Sequence, residues 1–243
     1  MKKIVHNIRI SFPLLLAACS AGLLFNSCGP IPTSTGSGVA AYEAFDLPAT
    51  LPTNRSNVRV KVSIQNKAAY VMEGNKPLLV MPVTVGRPTA PTPQGNFRIN
   101  VKNHYYRANT HGYAYKGETI RECYLKNKPS GWKFAGTPMP YWCEFKTAYG
   151  FHTGWMKPYP ASAGCLRMHK NVAPKFYRLV SVGTPVSIRQ TQPEDATIGR
   201  SIPRPPDSTP LPSNPDRMMA KTQVFFTQHK TPFTNHTYHL NEY

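Results

Sequence analysis

A histidine and a cysteine stand thirteen residues apart, at 152 and 165, in Tyr149-Gly150-Phe151-His152-Thr153-Gly154-Trp155 and Ala161-Ser162-Ala163-Gly164-Cys165-Leu166-Arg167-Met168. A cysteine attacks a carbonyl as its thiolate, so it needs a base or an imidazolium within hydrogen-bond reach. Cys165 is the candidate nucleophile and His152 the candidate base. An oxygen at Thr153, its backbone carbonyl above all, would hold the imidazole in one tautomer. Gly164 lets backbone and substrate approach closely, and the amides of Gly164 and Cys165 are candidate oxyanion donors. On a strand Arg167 shares the face of Cys165, where a guanidinium attracts a carboxylate or lowers the thiol pKa. Taken singly these signals are weak, because a lone buried cysteine usually behaves as a small core residue. Together they are much stronger.

Positioning such a pair calls for strands, and the sequence offers them. Val58 to Ile64 alternates apolar and polar residues with the period of a half-buried strand. Ala69–Met72, the turn Glu73–Lys76 and Leu78–Val80 spell a hairpin, which Val83–Gly86 continues. Gly95–Val101 alternates again, and Gly183–Ile188 is a candidate closing strand. One helix is expected over Val172–Val180, capped by Asn171, with Phe176, Leu179 and Val180 on its apolar face. The expectation is a mainly β domain over residues 58–190 with one short helix after the cysteine.

The flanks read differently. A basic start, Met1-Lys2-Lys3, and an apolar run from Ile10 to Phe25 form a secretory signal, too short and too interrupted to span a membrane. Within residues 1–28, Leu16-Ala17-Ala18-Cys19 and Phe25-Asn26-Ser27-Cys28 place two cysteines as candidate lipidation sites, and diacylation would anchor the chain. Residues 29–57 are Pro-, Thr-, Ser- and Gly-rich, the composition of a tether, and 191–243 form a Pro-rich, extended tail. The expected location is therefore the cell envelope or periplasm.

Composition narrows the remaining classes. The 243 residues carry 29 Lys and Arg against 11 Asp and Glu, a net charge of +18 that suits an anionic polymer as neighbour. So few carboxylates argue against a carboxylate-built metal cage. Twenty-five prolines argue against a helical bundle. Basic residues are scattered rather than clustered among exposed aromatics, and export removes nucleic acid as a target.

Ser162-Ala163-Gly164-Cys165-Leu166-Arg167-Met168 resembles, position by position, the Ser/Thr-x-Gly-Cys-aliphatic-Arg signature of the L,D-transpeptidase catalytic domain of the YkuD type. Thr92-Pro93-Gln94-Gly95-Asn96-Phe97 is similar to that family's Thr-Pro-x-Gly-x-Phe segment, and Met139-Pro140-Tyr141-Trp142 to its cleft stretch. The resemblance covers residues 58–190 and implies a β-sandwich bearing an acyl-transfer site. It implies that Cys165 attacks a peptidoglycan tetrapeptide stem, that D-alanine leaves and that a thioester remains. A diamino-acid amine on a second stem then forms a 3→3 cross-link. Water as acceptor would give a carboxypeptidase, and a lipoprotein lysine an anchoring enzyme. It further implies Arg167, Ser162, Tyr141, Trp142 and Trp155 as substrate contacts, with no cofactor and no metal. Many members carry a second histidine where this chain has Ala163, and the upstream motif is His-Thr-Gly rather than His-Gly.

Rival readings are a zinc site from His152, Cys165 and His169, which no CxxC or HExxH supports, and a peptidoglycan-binding module without turnover. Papain-like enzymes place Cys before His, the reverse of the order here. His169 itself reads as a solvated helix-entry residue. Cys123 and Cys143 are a candidate disulfide in an oxidising compartment, worth on the order of 3 kcal/mol, or else two free thiols.

Overall fold

The computed structural model describes residues 38–117 and 119–207. In chain order the elements are α1 (Gly38–Ala44), β1 (Val58–Ser63), β2 (Ala68–Glu73), β3 (Lys76–Pro82), β4 (Gly95–Arg98), β5 (Val101–Asn103), β6 (Arg107–Lys116) and β7 (Thr119–Tyr124). They continue with β8 (Lys133–Pro138), β9 (Trp142–Lys146), β10 (Tyr149–Thr153), β11 (Leu166–Met168), α2 (Ala173–Leu179) and β12 (Pro185–Arg189). The mainly β expectation is met, and the signal and lipidation sites lie outside the described residues.

Two sheets enclose the main core. A five-stranded sheet runs β3-β2-β1-β12-β4 and a four-stranded sheet runs β11-β10-β9-β5. Val60, Val62, Val71, Leu79, Met81, Val186 and Ile188 of the first meet Cys143, Phe145, Phe151, Leu166 and Met168 of the second. Helix α2 closes the gap, its Phe176 ring 4.5 Å from Phe151. Phe176 and Leu179 are buried as expected. Asn171 is not the cap, however: Val172 stands there without a side-chain bond, while Asn171 Nδ2 donates to the carbonyls of Glu43 and Phe45.

The run Gly95–Val101 is one ribbon that changes sheets. Its first half pairs with β12 and its second with β9, and Ile99, buried at the corner, bonds Thr184 and Gly183 through its backbone. Alternation along the whole run therefore reads correctly while the strand breaks in two. A three-stranded sheet, β7-β6-β8, is inserted between β5 and β9.

Both flanks were drawn too short of structure. Residues 38–57 of the expected tether pack on the domain, because Tyr42, Leu47 and Ala49 are buried and Lys175, itself buried, donates to both Asp46 carboxylate oxygens and to the Leu47 carbonyl. A lysine taken out of water needs such partners, which makes this an anchor. Residues 191–207 of the expected tail pack on the domain. Ile202 joins Ala68, Tyr70 and Met72 on the outer face of the five-stranded sheet, and Asp195 receives Tyr70 Oη at 2.6 Å and Ser63 Oγ at 2.8 Å.

Candidate active site

Strands β10 and β11 are parallel, with Phe151 opposite Leu166, His152 opposite Arg167 and Thr153 opposite Met168. Parallel neighbours need a crossover of about a dozen residues, and Gly154–Cys165 supplies it. That is why residues thirteen apart in the chain become neighbours in space. Alternation puts Cys165 and Arg167 on the face carrying His152, and Phe151, Leu166 and Met168 on the core face. The second set is fully buried.

The crossover is pinned to Val83–Gly86, expected as a continuing strand. That segment makes only isolated bridges, Thr84 to Arg167 and Gly86 to Ser162. Ala161 and Ser162 donate their amides to the Val85 carbonyl, and Thr84 Oγ1 both donates to the Lys157 carbonyl and accepts from its amide.

His152 Nδ1 lies 2.8 Å from the Thr153 carbonyl. A carbonyl only accepts, so Nδ1 carries the proton and Nε2 keeps its lone pair. Burial pushes this histidine down to about 4; the Thr153 carbonyl opposes that shift and Arg167 adds to it. The imidazole is thus a neutral base at pH 7. Thr153 contributes only its backbone: its hydroxyl is buried without a partner.

Cys165 Sγ sits against the backbone of Gly150 and 3.7 Å from the Ala148 carbonyl. Burial pushes its thiol up, the Gly150 amide and Arg167 pull it back, and Glu144 adds to the rise. No hydrogen bond joins Sγ to His152 among the described contacts. With His152 opposite Arg167, Cys165 stands two residues before the histidine's strand partner, diagonal to the imidazole. Of the two ways to make a thiolate, the neutral thiol and neutral imidazole leave the base rather than the imidazolium.

Several other site residues are placed differently from expectation. Ser162 is buried and clamps the turn, accepting from the Gly164 amide at 3.0 Å and donating to the Cys165 carbonyl, so it faces no substrate. The same bond occupies the Gly164 amide, which removes it as an oxyanion donor and leaves that of Cys165. Gly164, at φ +111°, is required for packing: a Cβ there would meet the Tyr149 ring at 2.5 Å. Its carbonyl accepts from Thr92 Oγ1 at 2.9 Å, a use for the Thr-Pro-x-Gly segment.

Neither Tyr141 nor Trp142 is an exposed cleft wall. Tyr141 belongs to the core, and Trp142 is buried beside His152, ring centroids 6.1 Å apart, beneath a stacked Tyr106 at 4.5 Å. Gly150 makes room for it, since a Cβ there would lie 2.8 Å from the indole. Trp155 is half-buried and its carbonyl accepts from Arg167 Nη1 at 3.4 Å. Tyr106 carried no sequence signal; Tyr149 stood inside the quoted motif without a role.

The rival sites fare poorly. His169 is buried, its Nε2 donating to the Tyr42 carbonyl at 2.8 Å and its Nδ1 accepting from the Asn171 amide, so both nitrogens are engaged away from Cys165. Cys123 and Cys143 are free thiols on strands of different sheets, not a disulfide.

A family model described as L,D-transpeptidase catalytic domain matches residues 57–188, more than half of the chain. Among solved structures, an L,D-transpeptidase from Mycobacterium smegmatis is 18% identical with a TM-score of 0.43, over 55% of this chain and 58% of that one. One from Stackebrandtia nassauensis is 21% identical with a TM-score of 0.42, over 64% and 66%. The Enterococcus faecium L,D-transpeptidase C442S mutant is 22% identical with a TM-score of 0.41, over 55% and 50%. This chain therefore spans between half and two thirds of the length of those proteins. No curated protein matches it. With the signature segment carried on β10, the crossover and β11, and a family match across both main sheets, the chain belongs to the L,D-transpeptidase catalytic domain family.

Proposed function

We propose that the protein is an exported acyltransferase of the cell envelope that joins peptidoglycan stem peptides through a thioester on Cys165. The observation that carries the proposal is the shared sheet face of Cys165 and His152, with Nδ1 of the histidine locked on the Thr153 carbonyl. As Sγ attacks the carbonyl carbon of the third stem residue, its proton passes to His152 Nε2. The carbonyl oxygen gathers the negative charge, received by the Cys165 amide. Collapse expels the amine of D-alanine, which takes the proton from the imidazolium, and the acyl group stays on sulfur. A second stem's side-chain amine then attacks the thioester, giving up its proton to His152 and restoring the thiol. Arg167, half-buried on the same face, draws the carboxylates of the stem toward the nucleophile. An N-terminal lipid would hold this site beside its polymeric substrate.

The test uses the full-length protein purified in detergent. Incubation with a carbapenem should add the mass of one acyl group, absent in Cys165→Ala. Tetrapeptide muropeptides should yield a cross-linked dimer with release of D-alanine. Release with water uptake alone identifies the hydrolytic form of the same chemistry. Muropeptide retention without any adduct identifies a binding module and defeats the proposal.

A further inference from the structure

Resting on the acyl-transfer reading, we propose that Tyr42, from the segment that precedes the catalytic domain's first strand, is a positioning residue of the active site. Its phenol is buried and reaches across the chain to the turn that follows His152. The hydroxyl accepts from the Met156 amide at 3.0 Å and points its proton at the Gly154 carbonyl, 3.5 Å away. One oxygen thus bridges the two ends of a three-residue turn. The ring lies 5.1 Å from that of Trp155, the residue between them.

This turn holds the catalytic groups from behind. A Cβ on Gly154 would come within 3.2 Å of the Arg167 side chain and 3.4 Å of His152 Cε1, so the turn backbone is the surface against which both pack. The Trp155 carbonyl takes an Arg167 N–H. A shift of the turn moves the guanidinium and the edge of the imidazole together. Tyr42 cannot drift, because its own carbonyl accepts from buried His169, its neighbour Glu43 pairs with Lys170, and Asp46 is locked on Lys175. Burial pushes the phenol up to about 12, so it keeps the proton it donates. Without the hydroxyl, the buried Met156 amide loses its partner.

The experiment compares Tyr42→Phe with Tyr70→Phe in the full-length protein. Tyr70 is an equally buried phenol on the far sheet, bonded to Asp195 and Asn66, and serves as the control for stability alone. Saturation kinetics of carbapenem acylation and thermal unfolding are read for each. Tyr42→Phe should lower the maximal acylation rate about tenfold, the order expected when a buried donor is orphaned, while half-saturation moves less than about twofold. Tyr70→Phe should unfold earlier and acylate at the wild-type rate. Equal losses of rate in both variants, or a wild-type rate in Tyr42→Phe, overturn the assignment. A wild-type protein that forms no adduct defeats the acyl-transfer reading itself, a result visible before either variant is compared.

Discussion

The two faces of the four-stranded sheet each carry a cysteine, Cys143 in β9 on one and Cys165 at the entry to β11 on the other, and they behave as different materials. On the core face Cys143 is packed with Phe145 and Phe151, and burial pushes its thiol up to about 12. On the other face burial also pushes Cys165 up, yet a neutral imidazole and a guanidinium stand on that face with it. Burial holds both thiols protonated at neutral pH, so acidity at rest does not by itself make either a nucleophile. The difference is whether a base can take the proton when a carbonyl arrives. Cys165→Ala should erase carbapenem acylation below detection, whereas Cys143→Ala should acylate normally and lose about 1 kcal/mol of stability. Acylation lost in both would dissolve the contrast.

Phe151 and His152 extend it by one residue. His152→Ala should cut the acylation rate by about 10²–10⁴-fold, the range of a general base. Phe151→Ala should cost about 3–5 kcal/mol of stability, measured by denaturant unfolding.

Acid sharpens the comparison, because both buried histidines are pushed down to about 4. A histidine with a folded pKa below its unfolded value contributes stability that is complete above about 6.5 and drains away as pH falls toward 4. The contribution is on the order of 3 kcal/mol for each group. Unfolding midpoints measured from pH 7 to pH 4 should fall steeply, and His169→Gln should flatten the curve. Acylation should show its acid limb near pH 4 to 5, with no inflection at 6.5. An inflection at 6.5 would mean an exposed or ion-paired imidazole.

The sequence made these faces legible because strand alternation and motif spacing are local. Val58–Ser63, the β2–β3 hairpin and the thirteen-residue spacing of His152 and Cys165 all lie within short spans, whereas the parallel pairing of β10 with β11 comes from the fold. What escaped depends on distant partners. Nothing near Tyr42 or Lys175 announces that they meet the domain, since each needs a group more than a hundred residues away. The helix cap failed for the same reason: Asn171 finds the carbonyls of Glu43 and Phe45 before its own helix. Composition marks residues 29–57 as a tether and 191–243 as an extended tail, yet a handful of well-placed side chains packs 38–57 and 191–207 onto the domain. Ser162 stands as an expected substrate contact and Gly164 as an expected oxyanion donor because a motif names positions without saying which hydroxyl or amide is already taken.

Thr153 offers the smallest effect and the finest discrimination. Its carbonyl fixes the tautomer of His152, while its side chain lies on the core face, buried and with an unpartnered hydroxyl. A side-chain role in catalysis and a backbone role make opposite forecasts for Thr153→Val, which keeps the shape and removes the oxygen. If the hydroxyl oriented the base, acylation would fall with the base's full contribution. If the carbonyl does so, acylation stays within about twofold, and stability changes by less than about 1 kcal/mol or rises, because an orphaned polar atom is replaced by a methyl. Thr153→Pro, which keeps the carbonyl but deletes the amide that donates to Pro140 at 2.9 Å, should disturb both, since the strand end that aims the carbonyl is then released.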